Sequence, residues 1–342
     1  MLGAAALEEF VRLDRLGPAL AEATGTPSWA TPRVSLIAGG KSNLTFALTS
    51  GVRELVFRRP PTGDLLHGAH DMVREARIQQ ALAATDVPTA QIVLIDDGDL
   101  LGFPFYVMEK VPGHVIRDAL PPGFAEHPEQ RMRLAHAFVD TLAILHAVDH
   151  HAVGLDTFGR PEGFLSRQVR RWAGRWEASR FEPVPAVEKL GARLAASVPP
   201  QKRASIVHGD YRLDNVVVHP TEPGTITAVL DWELSTLGDP MTDLALLLMF
   251  WRSADEPELS LTPGVSHLPG FPPRTELLAR YAAASNLDVS DIDWYLAFAH
   301  FKFACIAQGV ASRARAGAMA GQTFGDLQNE IVGLGERGMA LL

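Results

Sequence analysis

Residues 206–218 read IVHGDYRLDNVVV, and this stretch decides how the rest of the sequence is interpreted. An apolar run ends at His208-Gly209-Asp210, and Asn215 lies five positions after Asp210. A second stretch, VLDWE at 229–233, places Asp231 sixteen positions after Asn215. Short apolar runs of this kind predict strands. Asp210, Asn215 and Asp231 therefore carry side-chain oxygens close to the ends of predicted strands, in a defined order along the chain.

The types of these residues suit phosphoryl transfer. A carboxylate can orient an acceptor hydroxyl and take its proton, which is the role expected of Asp210. Hard oxygen ligands from Asn215 and Asp231 suit Mg²⁺, which neutralises the oxygens of a transferred phosphoryl group. We therefore expect Asp210 to be the catalytic base and Asn215 and Asp231 to be metal ligands.

This arrangement resembles the His-x-Asp-x-x-x-x-Asn catalytic loop and metal-binding Asp of the kinase-like fold. The His-Gly-Asp form, with Leu-Asp-Trp-Glu downstream, is similar to the aminoglycoside phosphotransferase and choline kinase family. The resemblance covers roughly residues 33–248. It implies an α+β, two-lobed protein-kinase-like fold with a small antiparallel-sheet N-lobe and a larger, mainly helical C-lobe. It also implies ATP as phosphoryl donor, Mg²⁺ as cofactor, and structural support of the site by His208, Asp239 and Asp243.

A second resemblance concerns the segment before the first helix of the N-lobe. Residues 58–66 (RRPPTGDLL), with Ala69-His70, resemble the kinase-like domain fused to some acyl-CoA dehydrogenases. Members of that subgroup are associated with hydroxylated acyl substrates. The resemblance implies a small-molecule hydroxyl acceptor, such as a hydroxyacyl-CoA or a related acid, and favours metabolism over antibiotic modification.

The pattern of apolar residues changes near residue 110 and predicts two lobes. Residues 1–110 form the N-lobe, with an N-terminal helix, a five-stranded sheet, one further helix and a nucleotide phosphate loop. Residues 111–342 form the C-lobe, with the catalytic loop and substrate pocket. The N-lobe order is β-β-β-α-β-β. Its predicted elements are strands at 33–38, 44–49, 54–58, 91–95 and 105–110 and a helix at 71–84. In the C-lobe, helices are expected at 129–147, 277–285, 294–315 and 325–341, strands at 216–219 and 226–230, and a loop at 183–185.

The N-lobe offers groups for a nucleotide. The glycines of GGKSN, residues 39–43, allow backbone N–H groups to approach phosphates. By the resemblance this is the phosphate-covering loop, with Gly39, Gly40, Ser42 and Asn43 as nucleotide-binding residues, although a plain hairpin turn fits the same letters.

Kinase-like enzymes carry a basic residue on the third strand, paired with a carboxylate on the following helix. Here Arg58 takes that position and Glu75 is its expected partner. Arg59 should point to the other face of the strand. Arginine replaces the usual lysine, but its guanidinium can grip phosphate and carboxylate in two-point contacts. The strand ending at Met108, Glu109 and Lys110 resembles the segment whose backbone binds the adenine ring.

Other patterns have simpler explanations. His146 and His150 have the spacing of a helical metal pair, but capping of the helix C-terminus is favoured. Residues 333–338, GLGERG, match a dinucleotide fingerprint without the preceding strand it requires. Residues 294–311 indicate a buried helix.

The arginines at 167, 170, 171 and 175 predict a solvated helix face, with an anionic substrate or CoA phosphate contact as the alternative. Glu233 is either a contact near the site or a solvated charge.

Composition excludes several classes of protein. The 342 residues include 31 basic and 40 acidic side chains, a formal net charge of −9, so no nucleic-acid partner is expected. No apolar run approaches the roughly 18–20 residues of a membrane helix, so no membrane association is expected. One cysteine, Cys305, and the lack of a leader pattern at residues 1–10 predict a cytoplasmic location. The oligomeric state is left open.

An alternative function belongs to another class. Because Arg58 replaces the usual lysine, the sequence also fits a nucleotide-binding pseudokinase or regulatory module without turnover. A protein kinase is a weaker third reading, because the sequence has His-Gly-Asp and lacks an Asp-Phe-Gly and Ala-Pro-Glu pair.

Overall fold

The computed structural model describes residues 4–37, 43–51, 53–61, 71–317 and 325–342. The described chain divides into two compact units. The first contains Met1–Gly113 together with Thr227–Leu234, and the second contains His114–Ile226 and Ser235–Leu342. The stretch that carries Asp231 therefore belongs to the first unit.

The elements are numbered in chain order. The strands are β1 Arg33–Leu36, β2 Leu44–Ser50, β3 Arg53–Arg59, β4 Ile92–Asp96, β5 Phe105–Glu109, β6 Ser205–Val207, β7 Val216–Val218, β8 Ile226–Val229 and β9 Thr236–Gly238. The helices are α1 Ala4–Val11, α2 Leu13–Thr24, α3 Met72–Leu82, α4 Pro128–Ala147, α5 Phe164–Ser179, α6 Pro185–Ala196, α7 Met241–Phe250, α8 Arg274–Ser285, α9 Ile292–Arg315 and α10 Leu327–Ala340.

The first unit is built on an antiparallel sheet with strand order β1-β2-β3-β5-β4 in the described residues. Successive side chains of a strand point to opposite faces, so β3 separates its residues between two cores. Leu55 and Phe57 join one core with Phe46 and Phe105. Val56 faces the other core, which contains Met72 and Ala76 of α3. Arg58 has the parity of Val56 and so lies on the α3 side of the sheet.

The second unit is mainly helical and is organised around α9. This helix packs against α5, α6, α7 and α10, and most of its apolar side chains are buried. The strands β6 and β9 pair antiparallel, with Ser205 opposite Gly238 and Val207 opposite Thr236. The loop 208–215, which contains Asp210 and Asn215, begins where β6 ends, so the buried β6–β9 pair fixes its starting point.

The elements expected from periodicity are confirmed in type and order in the N-terminal sheet, and the buried helix expected at 294–311 is confirmed as part of α9. The loop expected at 183–185 is wrong at its end, because α6 begins at Pro185. Proline is compatible with the first turn of a helix, where its missing N–H has no helical partner to lose. Helix α5 was indicated from the sequence only by the helical spacing of its arginines, and helices α6 and α7 were not assigned.

Candidate active site

Arg58 is the centre of an ion-pair cluster in the first unit. Its Nη1 lies 3.0 Å from Oε1 of Glu75, and its Nη2 lies 2.9 Å from Oδ1 of Asp231. Burial opposes the charge of the guanidinium, but Tyr106, Glu75 and Asp231 nevertheless raise the pKa of Arg58 above its ordinary value. One fixed positive charge therefore bridges the two carboxylates.

Arg59 points to the opposite face, as the alternation of β3 requires. Its Nη1 donates to the carbonyl of Phe10 at 2.9 Å, and its guanidinium carbon lies 3.6 Å from the centre of the Phe103 ring. These contacts hold the Arg59 side chain on the face of the sheet that packs against α1. Arg58 is thus the arginine of this pair that faces Glu75 and Asp231.

Glu75 is 1% exposed on α3. Burial raises the pKa of its carboxyl to about 7, with Asp231 and Glu233 acting in the same direction and Arg58 opposing them. A raised pKa in the folded state means that the stability contributed by this group is fully present below the unfolded pKa of 4.5. That contribution is lost as the pH rises through about 7.

We expect Glu75→Gln to remove this pH dependence. Between about pH 5 and pH 8, the free energy of unfolding of the wild type should fall relative to that of the variant by on the order of 2–3 kcal/mol. Urea unfolding across this range measures the difference. Glu54→Gln is the control, because Glu54 is an exposed glutamate of β3 that pairs with Lys110. An equal pH slope in wild type and Glu75→Gln would contradict the assignment.

Asn43 lies beside the same cluster. Its side chain is 2% exposed, and its Nδ2 donates to Oε2 of Glu233 at 3.2 Å and to Oε2 of Glu75 at 3.5 Å. Glu233 is therefore a contact near the site rather than a solvated charge. Gly39, Gly40 and Ser42 lie outside the described residues, so their nucleotide-binding role stays a prediction.

The segment expected to meet the adenine ring forms the end of β5. Met108 pairs with Val56 and with Ile92. The backbone N–H groups of Glu109 and Lys110 donate to the carbonyls of Gln91 and Glu54 at 2.8 and 3.4 Å. The sheet thus uses these two donors in this structure, and the base-binding role of residues 108–110 stays a prediction.

Asp231 adopts an uncommon backbone conformation. Its φ angle is +64°, in the left-handed region that side-chain-bearing residues rarely occupy. Such strain persists where surrounding structure fixes it, and it is frequent at functional positions. The next residue, Trp232, is 1% exposed and donates from Nε1 to the carbonyl of Val229 at 3.0 Å. This bond helps to fix the turn that presents Asp231.

In the second unit, Asp243 holds the start of the loop 208–215. Its carboxylate accepts from the backbone N–H of His208 at 2.5 Å and of Gly209 at 2.9 Å. Gly209 has φ +84°, which glycine tolerates without strain. His208 is fully buried, and its Nδ1 accepts from the N–H of Asp210 at 3.2 Å. These bonds determine the direction in which Asp210 leaves the strand.

Asp210 and Asn215 contact each other directly. Nδ2 of Asn215 donates to the main-chain oxygen of Asp210 at 2.8 Å and to its Oδ2 at 3.1 Å. Nε of Arg212 lies 3.2 Å from Oδ1 of Asp210. The Asp210 carboxylate is 31% exposed, whereas Asn215 is 7% exposed. The loop therefore presents the accessible carboxylate of Asp210, whose orientation is set by the amide of Asn215 and the guanidinium of Arg212.

His146 has a role that its sequence position did not indicate. It was expected to cap the last carbonyls of α4, but it does not. Instead it is fully buried, with Nδ1 2.7 Å from the hydroxyl of Tyr281 and Nε2 3.3 Å from Oδ2 of Asp243. The capping interpretation is wrong because α8 and α7 bring Tyr281 and Asp243 against the end of α4. His146 thus supports the aspartate that holds His208 and Gly209.

Asp239 forms a second buried support. One oxygen accepts from the backbone N–H of Lys202 and from the hydroxyl of Tyr295, both at 2.9 Å. The other accepts from the N–H of Met241 at 3.0 Å and so fixes the start of α7. Burial raises the pKa of this carboxyl, while its hydrogen bonds oppose that shift. Asp239 ties α7 and α9 to the segment that precedes β6.

Lys302 of α9 also contacts the loop 208–215, and the sequence did not indicate this role. Its ammonium donates to the carbonyl of Gly209 at 2.6 Å, immediately before Asp210. Burial lowers the pKa of Lys302, and the negative charges of Asp210 and Asp243 oppose that shift. No local motif signals the contact, because α9 lies far from the loop in sequence.

A cavity opens beside the loop within the second unit. It has a volume of about 420 Å³, including space open to solvent. Its wall combines aromatic side chains with charged ones, among them Phe138, Tyr211, Phe250, Arg117, Arg212 and Asp214. The cavity therefore offers an apolar surface next to the residue that follows Asp210.

Comparison with known proteins shows the family. A sequence model of the phosphotransferase enzyme family APH matches residues 33–284. The chain belongs to this family. The APH family model spans β1 to the end of α8 and includes every candidate residue named above except Lys302 and Tyr295.

Similar proteins support the same assignment. The chain is 36% identical over 322 residues to acyl-CoA dehydrogenase family member 11 of Rattus norvegicus, a match that covers 93% of this chain and 41% of that protein. It thus spans about two-fifths of the length of this relative. A crystal structure from Ralstonia eutropha JMP134, of a candidate aminoglycoside phosphotransferase, is 33% identical with a TM-score of 0.78, covering 91% of this chain and 92% of that one.

The kinase-like fold extends to more distant structures. Choline kinase from Cryptosporidium parvum Iowa II has a TM-score of 0.64 at 11% identity, with 95% of this chain and 94% of that chain covered. The expected α+β kinase-like fold and the expected family are therefore confirmed, including the kinship with acyl-CoA dehydrogenase family proteins.

Neither a membrane-spanning helix nor a preformed metal site is found in the described residues. No helix within the described ranges has both the length and the apolar character needed to cross a membrane. Among the same residues, no group of three or more His, Cys, Asp and Glu side chains is arranged to hold a metal ion.

Proposed function

We propose that this APH-family protein transfers the γ-phosphoryl group of ATP to a hydroxyl of a small-molecule metabolite. The family and the kinase-like fold support small-molecule phosphotransfer in general. The observation that carries the specific proposal is the Asp210 carboxylate, which is accessible and is oriented by Asn215 at 3.1 Å and Arg212 at 3.2 Å.

Asp210 is the proposed base. A carboxylate within hydrogen-bond reach of an acceptor hydroxyl can fix its direction of attack and take its proton as the new bond to phosphorus forms. The amide of Asn215 and the guanidinium of Arg212 restrict the rotation of the carboxylate. His208, Asp243 and Lys302 hold the loop backbone on either side of Gly209.

The residues fit a magnesium ion in their donor chemistry. Nδ2 of Asn215 is occupied by Asp210, which leaves the amide oxygen as an acceptor. Arg58 takes one oxygen of Asp231, so the second oxygen is the one a metal ion would use. We propose Asn215 and Asp231 as the ligands, in line with the oxygen preference of Mg²⁺. Bound Mg²⁺ would neutralise charge on the phosphate oxygens.

The nucleotide would be held by the first unit. Arg58, positioned by Glu75, supplies a fixed positive charge for phosphate oxygens. Asn43 lies at the end of the glycine-containing segment 39–43, whose backbone is proposed to cover the phosphates. The backbone of residues 108–110 is the proposed contact for the base.

The acceptor is proposed to occupy the cavity beside the loop. Its aromatic wall suits an apolar chain, and its charged residues suit a polar or ionised end. The relatives named as acyl-CoA dehydrogenase family proteins point in the same direction. We therefore propose a hydroxylated acid or its acyl-CoA ester as the acceptor class, and the cytoplasm as the site of action.

A screen of hydroxylated metabolites tests the function. It should include hydroxy acids and hydroxyacyl-CoA esters and should follow ADP release with Mg²⁺ and ATP. The proposal expects at least one acceptor to give ADP in step with its own phosphorylation. ATP hydrolysis that does not depend on any acceptor would contradict it.

A nucleotide-binding module without turnover is the second candidate, and Arg58 favours it. Its guanidinium already contacts Asp231, the proposed metal ligand, at 2.9 Å. If that contact persists when nucleotide is present, the carboxylate cannot bind metal fully. Thermal stabilisation by Mg²⁺ and ATP, without turnover of any acceptor in the screen, would support this candidate over the kinase.

Lys302 is a positioning residue whose effect can be separated from general stability. We expect Lys302→Met to lower kcat by about 10- to 100-fold with little change in the KM for ATP, because the Gly209 carbonyl and hence Asp210 would lose their anchor. Lys302→Arg should restore much of the activity. Lys202→Met is the matched control, since Lys202 pairs with exposed Asp288 and Asp291. Equal loss in Lys302→Arg and Lys302→Met would contradict positioning through this donor.

A further inference from the structure

Two cationic side chains lie near the ring of Trp172 in the second unit, and a third cationic residue, Arg171, is adjacent to Trp172 in the sequence. The guanidinium carbon of Arg175 lies 4.6 Å from the centre of the Trp172 ring, and Nζ of Lys302 lies 5.7 Å from it. Arg171 precedes Trp172 on α5, close enough for its charge to lower the pKa of both Arg175 and Lys302, in addition to the larger effect of burial. We call Arg171, Arg175 and Lys302 the basic cluster.

Among the described residues the basic cluster forms no ion pair, although the charges of Asp210 and Asp243 act on Lys302. Among the described residues, no Asp or Glu oxygen lies within 4.0 Å of the charged nitrogens of these three side chains. Arginines elsewhere in the same unit are paired, as in Arg274 with Glu256 and Arg280 with Asp140, both at 2.6 Å. In a chain with a net charge of −9, this is a local excess of positive charge.

The four arginines of α5 also differ from one another. Arg167 donates to the backbone carbonyls of Glu162 and Arg160, so it is used in local structure. Arg170 is exposed. The charges of Arg171 and Arg175 act on Lys302. The structure thus divides an arginine run that looked uniform in sequence.

The location of the basic cluster connects it to the catalytic loop. Lys302 uses one of its donors on the carbonyl of Gly209, next to Asp210. Its neighbour Phe303 packs against Phe250 with ring centres 5.1 Å apart, and Phe250 lines the cavity proposed for the acceptor. An anion bound by the cluster would therefore lie near the loop that carries Asp210, and α9 also reaches the cavity wall through Phe303.

We propose that Arg171, Arg175 and Lys302 bind an anionic group, a carboxylate or a phosphate, carried by the acceptor. This inference rests on the proposed function, because it assigns the substrate class to the same site. Arginine binds both groups with charge-assisted hydrogen bonds, and Trp172 holds the flanking cations in place. The cluster would make an acceptor with an anionic group bind more tightly than its neutral counterpart.

Kinetics with three probes test the specificity. The probes are a medium-chain hydroxy acid, its methyl ester and its CoA thioester, used with wild type and with the double variant Arg171→Gln/Arg175→Gln. Lys302 is left intact because it also anchors Gly209. In the double variant we expect the KM for the acid or for the CoA thioester to rise roughly 10-fold or more. The KM for ATP and the KM for the methyl ester should stay unchanged. A rise for the acid alone identifies a carboxylate, and a rise for the thioester alone identifies a carrier phosphate. Arg170→Gln is the control and should match wild type.

Binding without turnover separates this inference from the proposed function. Inorganic phosphate and acetate would be titrated while the indole N–H signal of Trp172 is followed by NMR. We expect at least one of the two anions to shift this signal in wild type and in Arg58→Gln, and neither to shift it in the double variant. That result would support the basic cluster as an anion site even if no acceptor is turned over. A wild-type signal that responds to neither anion, or an equal response in the double variant with its circular dichroism unchanged, would overturn the inference.

Discussion

Replacing Asp210 by Asn is expected to lower the turnover of phosphoryl transfer by about 10²- to 10⁴-fold, the usual contribution of a general base. The amide has nearly the same shape as the carboxylate, so the contact with Asn215 at 3.1 Å can persist. It cannot accept the proton of an acceptor hydroxyl. The loss should therefore appear in kcat, with the KM for ATP little changed.

Asp214→Asn is the matched control for this variant. Asp214 lies in the same loop and pairs with Arg212 at 3.3 Å, as Asp210 does at 3.2 Å. Steady-state kinetics of both variants should show a much smaller loss for Asp214→Asn. Full turnover in Asp210→Asn, or an equal loss in the two variants, would contradict the role of Asp210 as base.

Asp243→Ala is expected to cost about 3–5 kcal/mol of unfolding free energy, as removal of a buried charged partner does. The side chain is 1% exposed and accepts from the backbone of His208 and Gly209 and from His146. Its removal leaves buried N–H groups without an acceptor at the start of the catalytic loop. Urea unfolding measures the loss, and hydrogen exchange at Gly209 should accelerate.

The pH response provides a second readout at Asp243. Burial opposes the charge, but the bonds from His146 and the His208 backbone outweigh it and lower the pKa of Asp243 below its ordinary value. Stability from this group is therefore present above the unfolded pKa of 3.8 and is lost as the pH falls through the lower folded pKa. Asp140→Ala is the control, since Asp140 forms a partly exposed pair with Arg280 that should contribute less than about 1 kcal/mol. Equal losses in the two variants would show that Asp243 is not a structural support.

Local sequence patterns were sufficient wherever the decisive contacts are set by strand alternation or loop spacing. The parity of β3 places Arg58 and Arg59 on opposite faces, as predicted, and the five-residue spacing keeps Asp210 and Asn215 in one loop, although their direct contact was not predicted. Both follow from geometry over a few residues. The ion pair of Arg58 with Glu75 followed from the kinase-like resemblance, and the structure shows the contact at 3.0 Å.

Contacts between distant segments were not predictable in this way. His146 meets Asp243 across 97 residues and Tyr281 across 135, and Lys302 meets Gly209 across 93. Each depends on how helices pack, which periodicity does not encode. The start of α6 at Pro185 was missed for a different reason, because proline fits both a loop and a first helical turn.

Transfer of label from ATP marked on its γ-phosphate tests the central claim most directly. Wild type and Asp210→Asn would be incubated with Mg²⁺, labelled ATP and a hydroxy acid or hydroxyacyl-CoA acceptor, and the products separated and identified by phosphorus NMR. We expect a labelled phosphate monoester of the acceptor from the wild type and almost none from Asp210→Asn. Label found only in inorganic phosphate, or in equal amounts of phosphorylated acceptor from both proteins, would contradict it.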